Sequence, residues 1–185
     1  FSRPLARVVL ADAPAQELDV PAQRVVDLAA TLLAAEAAGL ARWLLNTATE
    51  YAKVREQFGK PIGSFQAIKH MCAEMLLRSE QASVAAADAA RAAGEDDAAT
   101  DAAQLSIAAA LAASVGIEAA KANAKDCIQV LGGIGITWEH DAHLYLRRAR
   151  TMSALLADGN DPLAELVDAT RTGLTDAVSV PVPAA

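Results

Sequence analysis

Aromatic residues are scarce in this 185-residue chain, at 4% of positions: two tryptophans, two tyrosines and three phenylalanines. A pleated sheet packs through aromatic and β-branched side chains, so the composition argues against an all-β protein. An excess of positive charge is missing as well. Sixteen Lys and Arg against 23 Asp and Glu give a formal net charge of −7. That balance disfavours a nucleic-acid groove or an anionic membrane surface as a target. Cysteine is limited to Cys72 and Cys127, each inside an apolar helical pattern. They read as two buried thiols in a reducing cytosol, with a disulfide or a metal pair as the alternative. The start, Phe-Ser-Arg-Pro-Leu-Ala-Arg, has no basic-then-apolar signal layout. The most apolar stretch, Leu28 to Leu45, is interrupted by Glu36 and Arg42 and so fails as a membrane span. A cytoplasmic location is expected.

What is abundant is alanine, at 46 positions. Long helices with small side chains follow from that choice. Residues 1–21 read differently from the rest. Leu5, Val8, Val9 and Leu10 form a β-like run that Pro14 and Pro21 break, like the last strand and connector of something larger. A helix is predicted over about 23–53, with Val25, Leu28, Leu32, Leu40, Trp43, Leu44 and Thr47 on one apolar stripe. A second runs from Ser64, as N-cap, to about Ala93, with the stripe Phe65, Ile68, Cys72, Met75, Leu76 and Val84. A third covers about 99–131 and carries Gly116, which suits tight helix crossings. A fourth starts near Glu139 and runs through Leu155, and a weaker helical pattern follows over 162–172. The fold expected is all-α: an antiparallel four-helix bundle over 22–175, with a loose tail at 176–185.

Two turns carry the candidate chemistry. The first spans Tyr51 to Gln66 and contains Arg55-Glu56-Gln57-Phe58-Gly59-Lys60-Pro61-Ile62. Arg55 ends a long helix and stays charged, which suits a diphosphate. Phe58 and Phe65 bracket the turn, placed to stack on a flat ligand, and Gln66 brings a donor and an acceptor. Taken singly, an arginine at a helix C-terminus complements the dipole and two phenylalanines read as core. The second turn is Gln129-Val130-Leu131-Gly132-Gly133-Ile134-Gly135. Its glycines cap a helix and leave backbone N–H groups open to a ligand. No strand precedes them, so they do not form a dinucleotide-binding fingerprint.

Together, in this order and spacing, the two segments resemble the acyl-CoA dehydrogenase family, of an actinobacterial type. Trp138-Glu139-His140-Asp141 and Tyr145-Leu146-Arg147-Arg148-Ala149 continue the match, which covers roughly residues 20–160. The resemblance implies the C-terminal helical bundle of such an enzyme, with residues 1–21 closing a preceding β domain. It implies FAD as cofactor. Arg55 would hold its diphosphate, Phe58, Phe65 and Gln66 would contact it, and Gln129, Val130, Leu131, Gly132 and Gly133 would line its adenosine end, across a subunit interface. The implied reaction is α,β-dehydrogenation of an acyl-CoA, as in fatty-acid β-oxidation. A homodimer, homotetramer or heterotetramer is implied, with an electron acceptor such as an electron-transfer flavoprotein.

The catalytic base departs from the family pattern. Its usual station, 23 residues after Gly133, falls on Leu156, and the alternative, 22 residues before Tyr51, falls on Ala29. Three carboxylates remain: Asp158, two residues past the usual station; Glu36, on the apolar stripe and so expected to be paired; and Asp27, on a different helix face from Ala29. Asp158 is the candidate base, with a solvated loop aspartate as the plain alternative. His70, His140 and His143 do not form a metal-ligand set: His140 and His143, three apart, can share a helix face, but no third ligand accompanies them. Two further readings stay open: a catalytically silent partner subunit, favoured by the empty stations, and a helical module that has lost its cofactor.

Overall fold

The computed structural model describes residues 8–94 and 100–156. Four helices form: α1 Ala22–Val54, α2 Gln66–Ala93, α3 Thr100–Leu131 and α4 Ala142–Leu156. A small hairpin, β1 Glu56–Gln57 and β2 Lys60–Pro61, and a 3-10 turn, Ile62–Ser64, join α1 to α2. A second 3-10 turn, Gly132–Ile136, leads from α3 towards α4. Consecutive helices run antiparallel, so α1 and α3 lie parallel, and these two form the most extensive seam, each touching all the other helices. This is the expected all-α four-helix bundle.

Alanine builds its interior. Ala34, Ala37, Ala41 and Ala48 of α1, Ala82 and Ala89 of α2, and Ala112, Ala120 and Ala124 of α3 are buried. A methyl group fills little space, so the backbones close up. Where α1 crosses α3, a Cβ on Gly116 would lie 3.3 Å from the Ala34 carbonyl oxygen and 3.4 Å from the Ala37 Cβ. The anticipated stripes are corrected accordingly. Leu40 and Leu44 are buried, but Val25, Leu32, Leu76 and Val84 face outward, because alanine-on-alanine contact turns the larger side chains out of the seam. Helices α1 and Ala102–Ile136 are long and apolar enough to cross a membrane by length and composition, contrary to the expectation for Leu28–Leu45. About half of each apolar window is buried against neighbouring helices.

Element boundaries differ for local reasons. Ser64 is not the cap of α2: the 3-10 turn uses it, and Phe65, extended and without a side-chain bond, precedes Gln66. Helix α4 begins three residues later than expected. His140 Nδ1 accepts the Ala142 N–H at 3.1 Å and the Asp141 carbonyl accepts the Leu144 N–H at 2.9 Å, so the turn 137–141 is spent on capping. Residues 8–10 form no strand and lie exposed. A lone strand has nothing to pair with. The expected helical pattern at 162–172 and the tail lie outside the described residues, as does Asp158.

Cys127 is buried and Cys72 half-buried, both as free thiols. Burial and then the neighbouring Cys72 push the Cys127 thiol up to about 12.

Candidate functional site

Helix α1 ends because Arg55 turns extended; its N–H still reaches the Tyr51 carbonyl at 2.9 Å, and its own carbonyl accepts from Ile62 N–H at 2.8 Å. The chain between is a two-residue hairpin loop, Phe58-Gly59, flanked by the pair Gln57 and Lys60. Both loop residues have positive φ, +52° and +76°, the signs a type I′ turn demands. Phe58 is therefore held in a left-handed conformation, the residue 92% exposed. The ring meets Phe65 edge-on, centroids 6.1 Å apart, and Lys60 Nζ stands 4.4 Å over the Phe65 ring. Gln66, exposed, opens α2 beside them. Arg55 is exposed and has no acidic partner among the described residues. An apolar groove of about 480 Å³ adjoins this corner, lined by Thr49, Ala52, Ile68 and Cys72 with Lys53 and Lys69 at its edge.

The glycine turn closes α3. Gly132 has φ +63°, a conformation that favours glycine, and nothing lies within 4 Å of a Cβ built on it or on Gly133. Their backbone thus faces open space, and Gln129 is exposed beside them. Val130 and Leu131 precede the glycines at the end of α3. Their side chains are buried in the core, so only backbone atoms of these two can meet a ligand.

The two turns belong to one end of the bundle. Ala52 and Tyr51 at the end of α1, Ile62 and Ile68 around the hairpin, and Val130, Leu131 and Ala142 around the glycine turn share a single apolar cluster. The hairpin contributes a guanidinium, an ammonium and aromatic faces; the glycine turn contributes open N–H groups. Such a surface suits a ligand that is both flat and anionic.

The base stations lie away from that end. Ala29 is exposed near the start of α1. Met152 packs with Leu33 and Ala37, and α4 continues one more turn to Leu156, which brings its end towards the α1 turn that carries Ala29. Asp27 is buried and held by Ser106 Oγ at 2.6 Å and Gln23 Nε2 at 2.9 Å, facing α3 rather than Ala29. Glu36 is paired as its place on the stripe required: Arg148 Nε and Nη2 donate to its two oxygens at 2.6 and 2.7 Å. That bond, ahead of burial, which opposes it, holds the Arg148 guanidinium above its ordinary range.

His140 and His143 serve the turn before α4. His143 Nδ1 lies 2.8 Å from the His140 carbonyl, and Trp138, which precedes α4, meets the His143 ring edge-on at 4.8 Å. One feature escaped the sequence reading. Asn123, wholly buried, has three acceptors around the two hydrogens of its Nδ2, the carbonyls of Ala41 and Met75 at 3.2 and 3.0 Å and Ser79 Oγ at 2.9 Å, and its Oδ1 accepts from Arg78 Nε at 2.8 Å. Arg78 also binds Asp126. An asparagine inside an alanine-rich helical run was the available signal, because a buried amide requires partners.

Residues 21–161 match the family described as Acyl-CoA dehydrogenase, C-terminal domain. The chain is 67% identical over 174 residues to acyl-CoA dehydrogenase FadE34 of Mycobacterium tuberculosis, a match that covers 94% of this chain and 24% of that protein. Among solved structures it resembles the Tcur3481-Tcur3483 steroid ACAD G363A variant, with a TM-score of 0.74 and 31% identity over 83% of this chain and 41% of that one. It also resembles the ChsE4-ChsE5 complex of Mycobacterium tuberculosis, with a TM-score of 0.66 and 26% identity over 84% of this chain and 39% of that one. The chain thus spans less than half the length of each of these proteins. A bundle with this glycine turn and arginine corner, matched over most of its length, belongs to the acyl-CoA dehydrogenase family as a C-terminal domain.

Proposed function

We propose that this bundle completes the FAD site of a neighbouring subunit in an acyl-CoA dehydrogenase that removes hydrogen across the α and β carbons of an acyl-CoA thioester. The observation that supports the reading is that the residues flanking Arg55 and those flanking the Gly132 turn share one core cluster at one end of the bundle, with Arg55 exposed and without an acidic partner among the described residues. The guanidinium would hold the diphosphate through two parallel hydrogen bonds. Phe58 and Phe65 would flank a flat ring, Gln66 would bond a polar edge, and Gln129 with the N–H groups of Gly132 and Gly133 would meet the adenosine end. Bound flavin supplies the hydride acceptor, and reoxidation falls to a partner such as an electron-transfer flavoprotein.

The test uses the full-length assembled protein. Arg55→Ala should weaken FAD retention by about 2 kcal/mol, roughly thirtyfold, because a charge-assisted pair is lost. Flavin content unchanged after dialysis would overturn the reading.

A second reading is favoured by Leu156 and Ala29, neither of which can take a proton. Here the subunit is catalytically silent and finishes the flavin pocket of an unlike partner in a heterotetramer rather than a homodimer or homotetramer. The paired components named in Tcur3481-Tcur3483 and ChsE4-ChsE5 support it. Reduction of the assembled protein by a panel of acyl-CoA thioesters, repeated with Asp158→Asn, separates the two. Loss of reduction in the variant assigns the base to Asp158 of this chain, and unchanged reduction removes Asp158 from consideration.

A further inference from the structure

Helix α4 packs chiefly on α3 and meets α1 over a smaller, largely apolar surface. Ala149 and Met152 lie against Leu33, Ala37 and Leu40, and Tyr145 stacks flat on Trp43 with ring centroids 3.7 Å apart. Apolar burial is non-directional, so these contacts tolerate small shifts of α4 along its seat. The Glu36–Arg148 pair does not. Its two parallel bonds join a planar fork to a carboxylate in one geometry only.

The energetics point the same way. Arg148 is 8% exposed, and its remaining nitrogen, Nη1, is buried with no partner among the described residues. A part-buried ion pair whose arginine leaves one buried nitrogen unpartnered gains little stability, since desolvation offsets the attraction; the attested use of such pairs is to specify one arrangement among several.

We propose that Glu36 and Arg148 are positioning residues that set the register of α4 on α1, and thereby the place of the last turn of α4, where the family's base station falls on Leu156. The importance of that turn rests on the dehydrogenase reading above; the register itself does not.

The experiment follows hydrogen–deuterium exchange in the full-length flavoprotein for the wild type, Glu36→Gln, and the reversed pair Glu36→Arg with Arg148→Glu. In Glu36→Gln, amides of residues 142–156 should exchange about tenfold faster while those of 23–53 and 102–131 stay within about twofold. The reversed pair should restore most of the protection. Equal acceleration in every helix indicates a merely structural pair and overturns the proposal, as does no change in α4. Should the reversed pair fail to fold, Glu36→Asp replaces it: protection between wild type and Glu36→Gln supports the proposal, and protection no better than Glu36→Gln overturns it. In protein that reduces with an acyl-CoA, kcat should fall with α4 protection while KM holds within about twofold. A wild type that reduces with none of them sinks the dehydrogenase reading, and the exchange result still decides the register.

Discussion

Phe58 is placed where few residues are comfortable. A φ of +52° at the first position of a two-residue hairpin loop favours Asn, Asp or Gly, and a residue 92% exposed recovers almost nothing through burial. Strain of this kind costs on the order of 1 kcal/mol and concentrates at sites that bind. Phe58→Asn is therefore expected to stabilise the chain by about 1 kcal/mol, read as a higher urea midpoint at unchanged slope. A lower midpoint would mean that the edge contact with Phe65 outweighs the strain. The residue identities of this corner were readable in the sequence. The left-handed turn that presents the ring was not, because Phe-Gly lacks the Asn-Gly or Asp-Gly signature of such loops.

At the scale of the element, one buried amide ties three helices together. Asn123 of α3 reaches a carbonyl of α1 and a carbonyl and hydroxyl of α2, while Arg78 closes the network to Asp126. Asn123→Ala should cost about 3 kcal/mol, from the cavity and from the Arg78 donor left without its acceptor, measurable by chemical denaturation. A cost below about 1 kcal/mol would show that water replaces the amide. Helix number, the glycine turn and the pairing of Glu36 were legible, since 3.6-residue periodicity and a carboxylate on an apolar stripe are local signals. The buried faces were legible only in part. Pattern reading assigns the largest apolar residues inward, which fits Leu40 and Leu44 but not Val25, Leu32 or Val84. Whether a helix seats alanine or leucine against its neighbour depends on how closely the axes approach, a property of the partner helix as much as of the sequence itself.

Over the whole molecule, the outward-facing Leu32 and Val84, 70% and 68% exposed, are apolar surface that the bundle does not cover. Replacing both with glutamate should leave the stability of the isolated chain within about 0.5 kcal/mol, because neither side chain packs in the core. In the full-length protein the same changes should lower the assembled mass measured by light scattering. An unchanged mass would place the subunit contacts on another face.

The Gly116 crossing carries a wider consequence. Where one backbone rests on another through single methyl groups, substitution is blocked in both directions: glycine removes the only contact and weakens the helix, while valine or anything larger wedges the pair apart. The buried alanines of these monotonous stretches, which look like the part most open to drift, are the part least free to change.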